Sequence, residues 1–158
     1  MENTHNYWMM LCNPDKWFGV KVVANAKVNS ILYNLDTFAW TTGKRSFKEM
    51  KAGDLGIIKV GNDHRNKACR TIDDELVDKL EAGIYTIVEF IEKDGQVLHY
   101  DKNGIERVHF KVIKNLFKEN SIIDKLNTEK LLGKYYKSFS STMITKEIFE
   151  RIHTEKIC

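Results

Sequence analysis

Proline is nearly absent from this chain: Pro14 is the only one in 158 residues. With no low-complexity tract and no internal repeat either, nothing reads as a linker between domains. Cysteine is scarce too. Cys12, Cys69 and Cys158 are odd in number and widely spaced, and no Cys-x-x-Cys occurs, so the expectation is reduced thiols and not a disulfide framework. Apolar runs reach about five residues, far short of the ~20 that a membrane span requires. The opening Met1-Glu2-Asn3-Thr4-His5-Asn6 lacks the basic and apolar regions of a signal peptide, which points to the cytoplasm and away from the membrane.

Catalytic motifs are missing as well. The sequence contains no G-x-S-x-G, no phosphate-cradling Gly-rich loop, no H-E-x-x-H and no close Cys/His set. His5, His64, His99, His109 and His153 are dispersed and read as surface or strand-edge residues, so neither a metal nor a cofactor is expected. Asp73, Asp74 and Glu75 form an acidic run that helix capping and the helix dipole explain. Cys12 falls at a strand end ahead of a helix start, where a thiol pKa can drop, but no base accompanies it. A small packing residue is the simpler reading, and an enzyme the weaker class.

What is present suits one globular domain. Hydrophobic residues make up 42% and charged residues 30%, enough for a real core. The net charge of +3 permits nucleic-acid binding without arguing for it, and the lysines are scattered with a denser zone over 102–118.

Periodicity organises the chain. Asn6–Cys12 is apolar on both faces and predicts a central strand. Asn13 and Pro14 then suit an N-cap and first helical position, with Trp17 in the turn that follows. Val28, Ile31, Leu32 and Leu35 predict a helix, Asp36–Trp40 a short strand, and Ser46 with Glu49 a capping box. Lys51–Asp54 reads as a turn and Leu55–Val60 as a buried strand. Thr71 with Asp74 predicts a helix carrying Leu76, Val77 and Leu80, stopped by Gly83. Ile84–Ile91, Gln96–Tyr100 and Glu106–Ile113 predict a meander, with turns at Asp94-Gly95 and, of type I′, at Asn103-Gly104. Asn127 is expected to cap one helix. Thr145 is expected to cap the last, with Ile144 and Phe149 as its hydrophobic staple. The expected class is α+β: a curled mixed or antiparallel sheet, or open barrel, of about six strands flanked by helices.

The aromatics carry the functional question. Trp8, inside a strand, reads as core. Trp40 ends a strand just before the polar Thr41-Thr42-Gly43-Lys44-Arg45. It reads equally as a half-buried rim residue or as a stacking wall with a basic rim, where stacking is worth about 1–3 kcal/mol per base.

The order of motifs resembles the EVE domain of the PUA-like superfamily, related to YTH-type readers of methylated adenine. The opening Tyr7-Trp8 to Asn13-Pro14-Asp15-Lys16-Trp17 resembles that family's first strand and turn. Asp36–Trp40, Met50–Ile58 with its Lys-x-Gly-Asp turn, Gly83–Phe90, Val108–Lys114 and the Ser-containing Ser138–Ile152 follow in the family's order, Phe149 standing in place of a tryptophan. The likeness spans residues 1–158 as a single domain, departing from the family by an insertion at 62–81 and by the absence of a second cage tryptophan, which leaves Tyr100 or Phe139.

The resemblance implies a non-catalytic module that recognises a modified base flipped from DNA, as in the specificity modules of modification-dependent restriction systems that act beside a GTP-driven motor and nuclease. It implies Trp40 as the main wall and Trp17 as a second. Cys12 and Asn13 would stand at the base edge, with Thr41, Thr42 and Ser141 as further hydrogen-bonding groups. Lys44, Arg45, Lys111 and Lys114 would hold phosphates. RNA is the alternative partner. A small nucleic-acid hydrolase would require a Lys/Tyr or acidic pair in the pocket, and a third reading is an interaction domain with a vestigial pocket.

Overall fold

The computed structural model describes residues 5–12, 37–41, 50–64, 66–72, 75–76, 78–100, 102–104, 106–138 and 142–154. The expected helix over residues 21–35 and the capping box at Ser46 lie outside these residues, as do the turn at Asn13-Pro14 and Trp17.

Ten strands are described: β1 (Tyr7–Cys12), β2 (Thr37–Thr41), β3 (Leu55–Val60), β4 (Thr71–Ile72), β5 (Glu75–Leu76), β6 (Gly83–Phe90), β7 (Leu98–Tyr100), β8 (Glu106–Asn115), β9 (Ile123–Asp124) and β10 (Thr142–Ile144). Two α-helices follow the same order, α1 (Lys125–Leu132) and α2 (Lys146–Thr154). The main sheet runs β10-β1-β3-β6-β8-β2, with β7 added on β8 and β9 on β6. The β1–β3 pair is parallel and the other pairs are antiparallel, so the sheet is mixed. This is the expected α+β class, a curled mixed sheet flanked by helices.

Both faces of the sheet are buried at β1, β3 and β6, as the two-sided apolarity of β1 requires. Trp8, Met10 and Cys12 join Ile58, Val60, Tyr85, Val88, Phe90, Val108 and Phe110 in the concave core. Met9 joins Ile57, Ile84, Ile87 and the helical residues Leu132, Phe149 and Ile152 on the opposite face. Lys59 is buried at 7% exposure on β3; its ammonium donates to the Tyr136 carbonyl and lies 4.2 Å from that ring's centroid. Burial pushes its pKa below the ordinary lysine value.

The final helix forms as its sequence predicts. The Ile148 N–H donates to Thr145 Oγ1 at 3.2 Å, and Ile144 and Phe149 are both buried beside it. Thr145→Ala should therefore lower stability by about 1 kcal/mol in a urea titration; an unchanged midpoint would remove the cap from the account.

Four local expectations are corrected. Helix α1 is capped by Asp124, whose Oδ1 accepts from the Asn127 N–H at 2.9 Å, so Asn127 lies inside the helix and not at its cap. No helix begins at Thr71. Its hydroxyl donates back to the Lys67 carbonyl at 2.7 Å, closing a 3₁₀ turn over Ala68–Arg70, and Thr71–Ile72 pairs with Glu75–Leu76 as a small hairpin. Of the expected apolar stripe, Leu76 is 51% exposed while Leu80 packs against the core, and Gly83 opens β6 instead of ending a helix.

The meander is also different. Phe90 pairs with Phe110 and Leu98 with Val108, so β6 and β7 lie in line along one edge of β8. Residues 92–97 are extruded between them as a tight excursion, bridged from Lys93 to Gln96. Its turn, not Asn103-Gly104, has the type I′ signature, with positive φ at both Asp94 (56°) and Gly95 (81°). Gly104 is at 77° while Asn103 is not positive, which fits a longer connection between Tyr100 and Glu106.

Candidate functional site

The Lys51–Asp54 turn anchors one end of the sheet. The Asp54 carboxylate is fully buried and accepts three hydrogen bonds: from the Asn6 N–H (3.1 Å), the Lys51 N–H (3.1 Å) and the Trp8 indole (3.0 Å). The Asp54 backbone pairs with Phe90, whose N–H donates to its carbonyl at 2.8 Å. One residue thus ties the entry of β1 and the turn before β3 through its side chain, and the end of β6 through its backbone. It also explains why Trp8 is core: the ring fills the concave interior while its single polar atom is satisfied.

Beside this turn lies an open cavity of about 390 Å³, lined by Met50, Lys51, Ala52, Glu92, Gln96 and Val97. Its volume is within the roughly 300–1,000 Å³ of small-ligand pockets. Met50 and Val97 are buried members of the concave core, whereas Lys51, Ala52, Glu92 and Gln96 are exposed. The cavity therefore has an apolar floor and a polar rim of both signs.

The register sets Trp40 toward the same end. Tyr7, Leu55, Glu89, Lys111 and Thr37 form one row across five strands. Trp40 lies beyond that row, opposite Val108, which on its other side pairs with Leu98, the residue after Val97. Thr41 is opposite Arg107. Cys12 lies on the other side of the same row, paired with Val60, which pairs with Gly83. The strands thus carry Cys12 and Trp40 away from each other along the sheet. Cys12 is 1% exposed in the concave core near Tyr85, whose hydroxyl pKa is pushed up by burial first, then by Glu81 and Cys12.

Of the other residues singled out above, Tyr100 is 70% exposed at the end of β7. Lys111 is exposed and lies 3.8 Å from the Glu89 carboxylate, and Lys114 is half-buried opposite Ile87. Asn13, Trp17, Thr42, Lys44, Arg45, Phe139 and Ser141 lie outside the described residues. Among the described residues no group of three or more His, Cys, Asp and Glu side chains could hold a metal, and no helix is long and apolar enough to cross a membrane.

One cluster escaped the sequence reading. His99 on β7 and His109 on β8 meet edge to face, with ring centroids 4.6 Å apart. His99 Nε2 donates to the Gln96 carbonyl at 2.6 Å. Burial, then His99 and then Lys93 hold the His109 imidazole below the ordinary histidine range, against a smaller opposing pull from Asp94. The two histidines are ten residues apart, and only the pairing of Tyr100 with Glu106 makes them diagonal neighbours.

No protein-family model matches the chain, and no curated protein matches it in sequence. Solved structures are similar to it in fold. A hypothetical protein from Leishmania major superposes with a TM-score of 0.55 at 11% identity, covering 95% of this chain and 93% of its own. The crystal structure of a protein from Agrobacterium tumefaciens gives 0.52 at 18% identity, over 93% of this chain and 90% of that one. Each likeness runs nearly end to end and concerns the fold alone.

Proposed function

We propose that this chain is a non-catalytic module that binds a modified base flipped out of DNA, its aromatic wall supplied by Trp40. The observation that carries the reading is the pairing of the Trp40–Thr41 end of β2 with Val108 and Arg107, at the end of the sheet that holds the open cavity. Extruding a base costs a few kcal/mol of lost stacking, which an aromatic wall and hydrogen bonds to the base edge offset. The cavity supplies groups of the right kind: a floor of Met50 and Val97, and a rim where Gln96 offers both a donor and an acceptor. Cationic side chains such as Lys111 would hold the backbone without reading sequence. A chain of this kind acts as the specificity module for a nuclease carried elsewhere in a restriction system.

The test is a fluorescence titration with single- and double-stranded DNA and RNA carrying methylated or hydroxymethylated cytosine or methyladenine. The expected result is a preference for one modified duplex DNA, weakened roughly 5- to 150-fold by Trp40→Ala, the equivalent of ~1–3 kcal/mol of stacking. A preference for single-stranded modified RNA would shift the partner to RNA. Unchanged affinity of Trp40→Ala for every oligonucleotide would remove the pocket from the account.

A further inference from the structure

Among the described residues, the core that α1 and α2 seal draws on β1, β3, β6, β9 and β10 and takes no residue from the 107–113 stretch of β8. On that stretch Val108 and Phe110 point into the concave core, so Arg107, His109 and Lys111 share the outer face. Their register with β2 is regular, so neighbours in this series stand about 7 Å apart, two residues of strand rise. Lys111 is exposed, Arg107 and His109 half-exposed, and His99 reaches the same face from β7.

Charge on this face is mixed but leans positive. His109 is faced by His99 from β7, by Lys93 and Asp94 from the 92–97 excursion, and along its own strand by Arg107 and Lys111. From β6 the acidic group is Glu89, which pairs with Lys111, and the five residues of β2 contain nothing titratable. Cationic and protonatable groups strung out at even spacing, and not converging on one point, suit a linear polyanion better than a compact ion.

We propose that Arg107, His109 and Lys111, with His99, form a strip on the outer face of β8 that holds a nucleic-acid phosphodiester backbone and grips it more tightly as pH falls. The proposal rests on the nucleic-acid reading above and names how the backbone would be held. Burial, the edge-to-face His99 ring and then Lys93 disfavour a proton on His109 in the free protein. A bound phosphate supplies the missing negative charge, so binding and protonation favour each other. The strip reads no sequence and would act on modified and unmodified strands alike.

The experiment titrates the full chain with a short unmodified duplex, the same duplex carrying the preferred modified base, and poly-glutamate, between about pH 5.5 and 8, the range where histidine titrates. Affinity for both duplexes should rise about tenfold as pH falls, equivalent to uptake of about one proton across one pH unit. The double variant H99Q/H109Q should flatten that rise while keeping the preference for the modified duplex. A second variant, R107Q, should keep the pH dependence and reduce the salt slope by roughly 0.9. Binding that is independent of pH, or equally pH-dependent in H99Q/H109Q, overturns the strip and leaves the Trp40 pocket standing if the modified base is still preferred. Poly-glutamate bound as well as DNA, with the same pH dependence, overturns it in favour of an acidic protein partner. No binding of either duplex at any pH overturns both readings.

Discussion

Replacing Asp54 by alanine should cost about 4 kcal/mol, because it leaves one buried and two part-buried N–H donors without an acceptor at ~1–3 kcal/mol each, partly offset by water entering the gap. That is a large share of the roughly 5–15 kcal/mol by which domains of this size are stable. The melting temperature should fall by roughly 8–16 °C, at ~2–4 °C per kcal/mol for a chain of this length. The donors come from three places, Asn6, Trp8 and Lys51, so the loss frees the entry of β1 from β3 as well as removing local bonds. Asp54→Asn should do little better, since an amide offers one acceptor oxygen and turns its own N–H groups toward the remaining donors. Trp8→Phe is the contrasting variant: it deletes one donor and some ring volume but leaves the carboxylate with two partners, for about 1–2 kcal/mol. If urea melts placed Asp54→Ala within about 1 kcal/mol of the parent, the carboxylate would not be the clamp its hydrogen bonds describe.

The second large effect is expected at Gly83. A Cβ built there would sit 2.1 Å from the Ile123 carbonyl oxygen, a backbone atom that no rotamer change can move aside. Gly83 pairs with Asp124, and Asp124 is the N-cap of α1, so pushing β9 away from β6 loosens a strand pair and a helix start together. Gly83→Ala should cost about 3 kcal/mol, the upper end for steric overpacking. The damage should be local first. Amide hydrogen exchange ought to accelerate in residues 123–132 before the sheet core at Ile57 or Val88 is affected. Wild-type exchange in that segment would show that β9 can retreat without consequence.

Much of the fold was legible from local pattern. The two apolar faces of Tyr7–Cys12 specify a strand buried on both sides, and β1 lies between β10 and β3 with Met9 on one core and Trp8 and Met10 on the other. Thr145, Ile144 and Phe149 specify a helix start because cap and staple lie within five residues of one another. The candidate site was less legible. Trp40 was marked by its place at a strand end before a polar loop, but its neighbours Val108 and Leu98 are set by strand order. The misreadings share a cause. A hydroxyl at Thr71 can cap forward or bond backward, and Asp94-Gly95 can join two paired strands or extrude a loop from a continuing one. Both members of each pair of outcomes have the same local chemistry, and only packing against the rest of the sheet selects between them.

By itself the sequence determined the strands at Tyr7–Cys12, Leu55–Val60 and Gly83–Phe90, the capped start of the last helix, that the class is α+β, and that Trp8 belongs inside. Those properties depend on residues within a few positions of one another, where period and capping act. Tertiary structure alone decided that Asp54 meets a tryptophan 46 residues away, that β6 and β7 share one edge of β8, and that His99 meets His109 edge to face. Each of these is a long-range contact created by register, and a hydrophobic pattern of period two is the same in every register that keeps the faces in place.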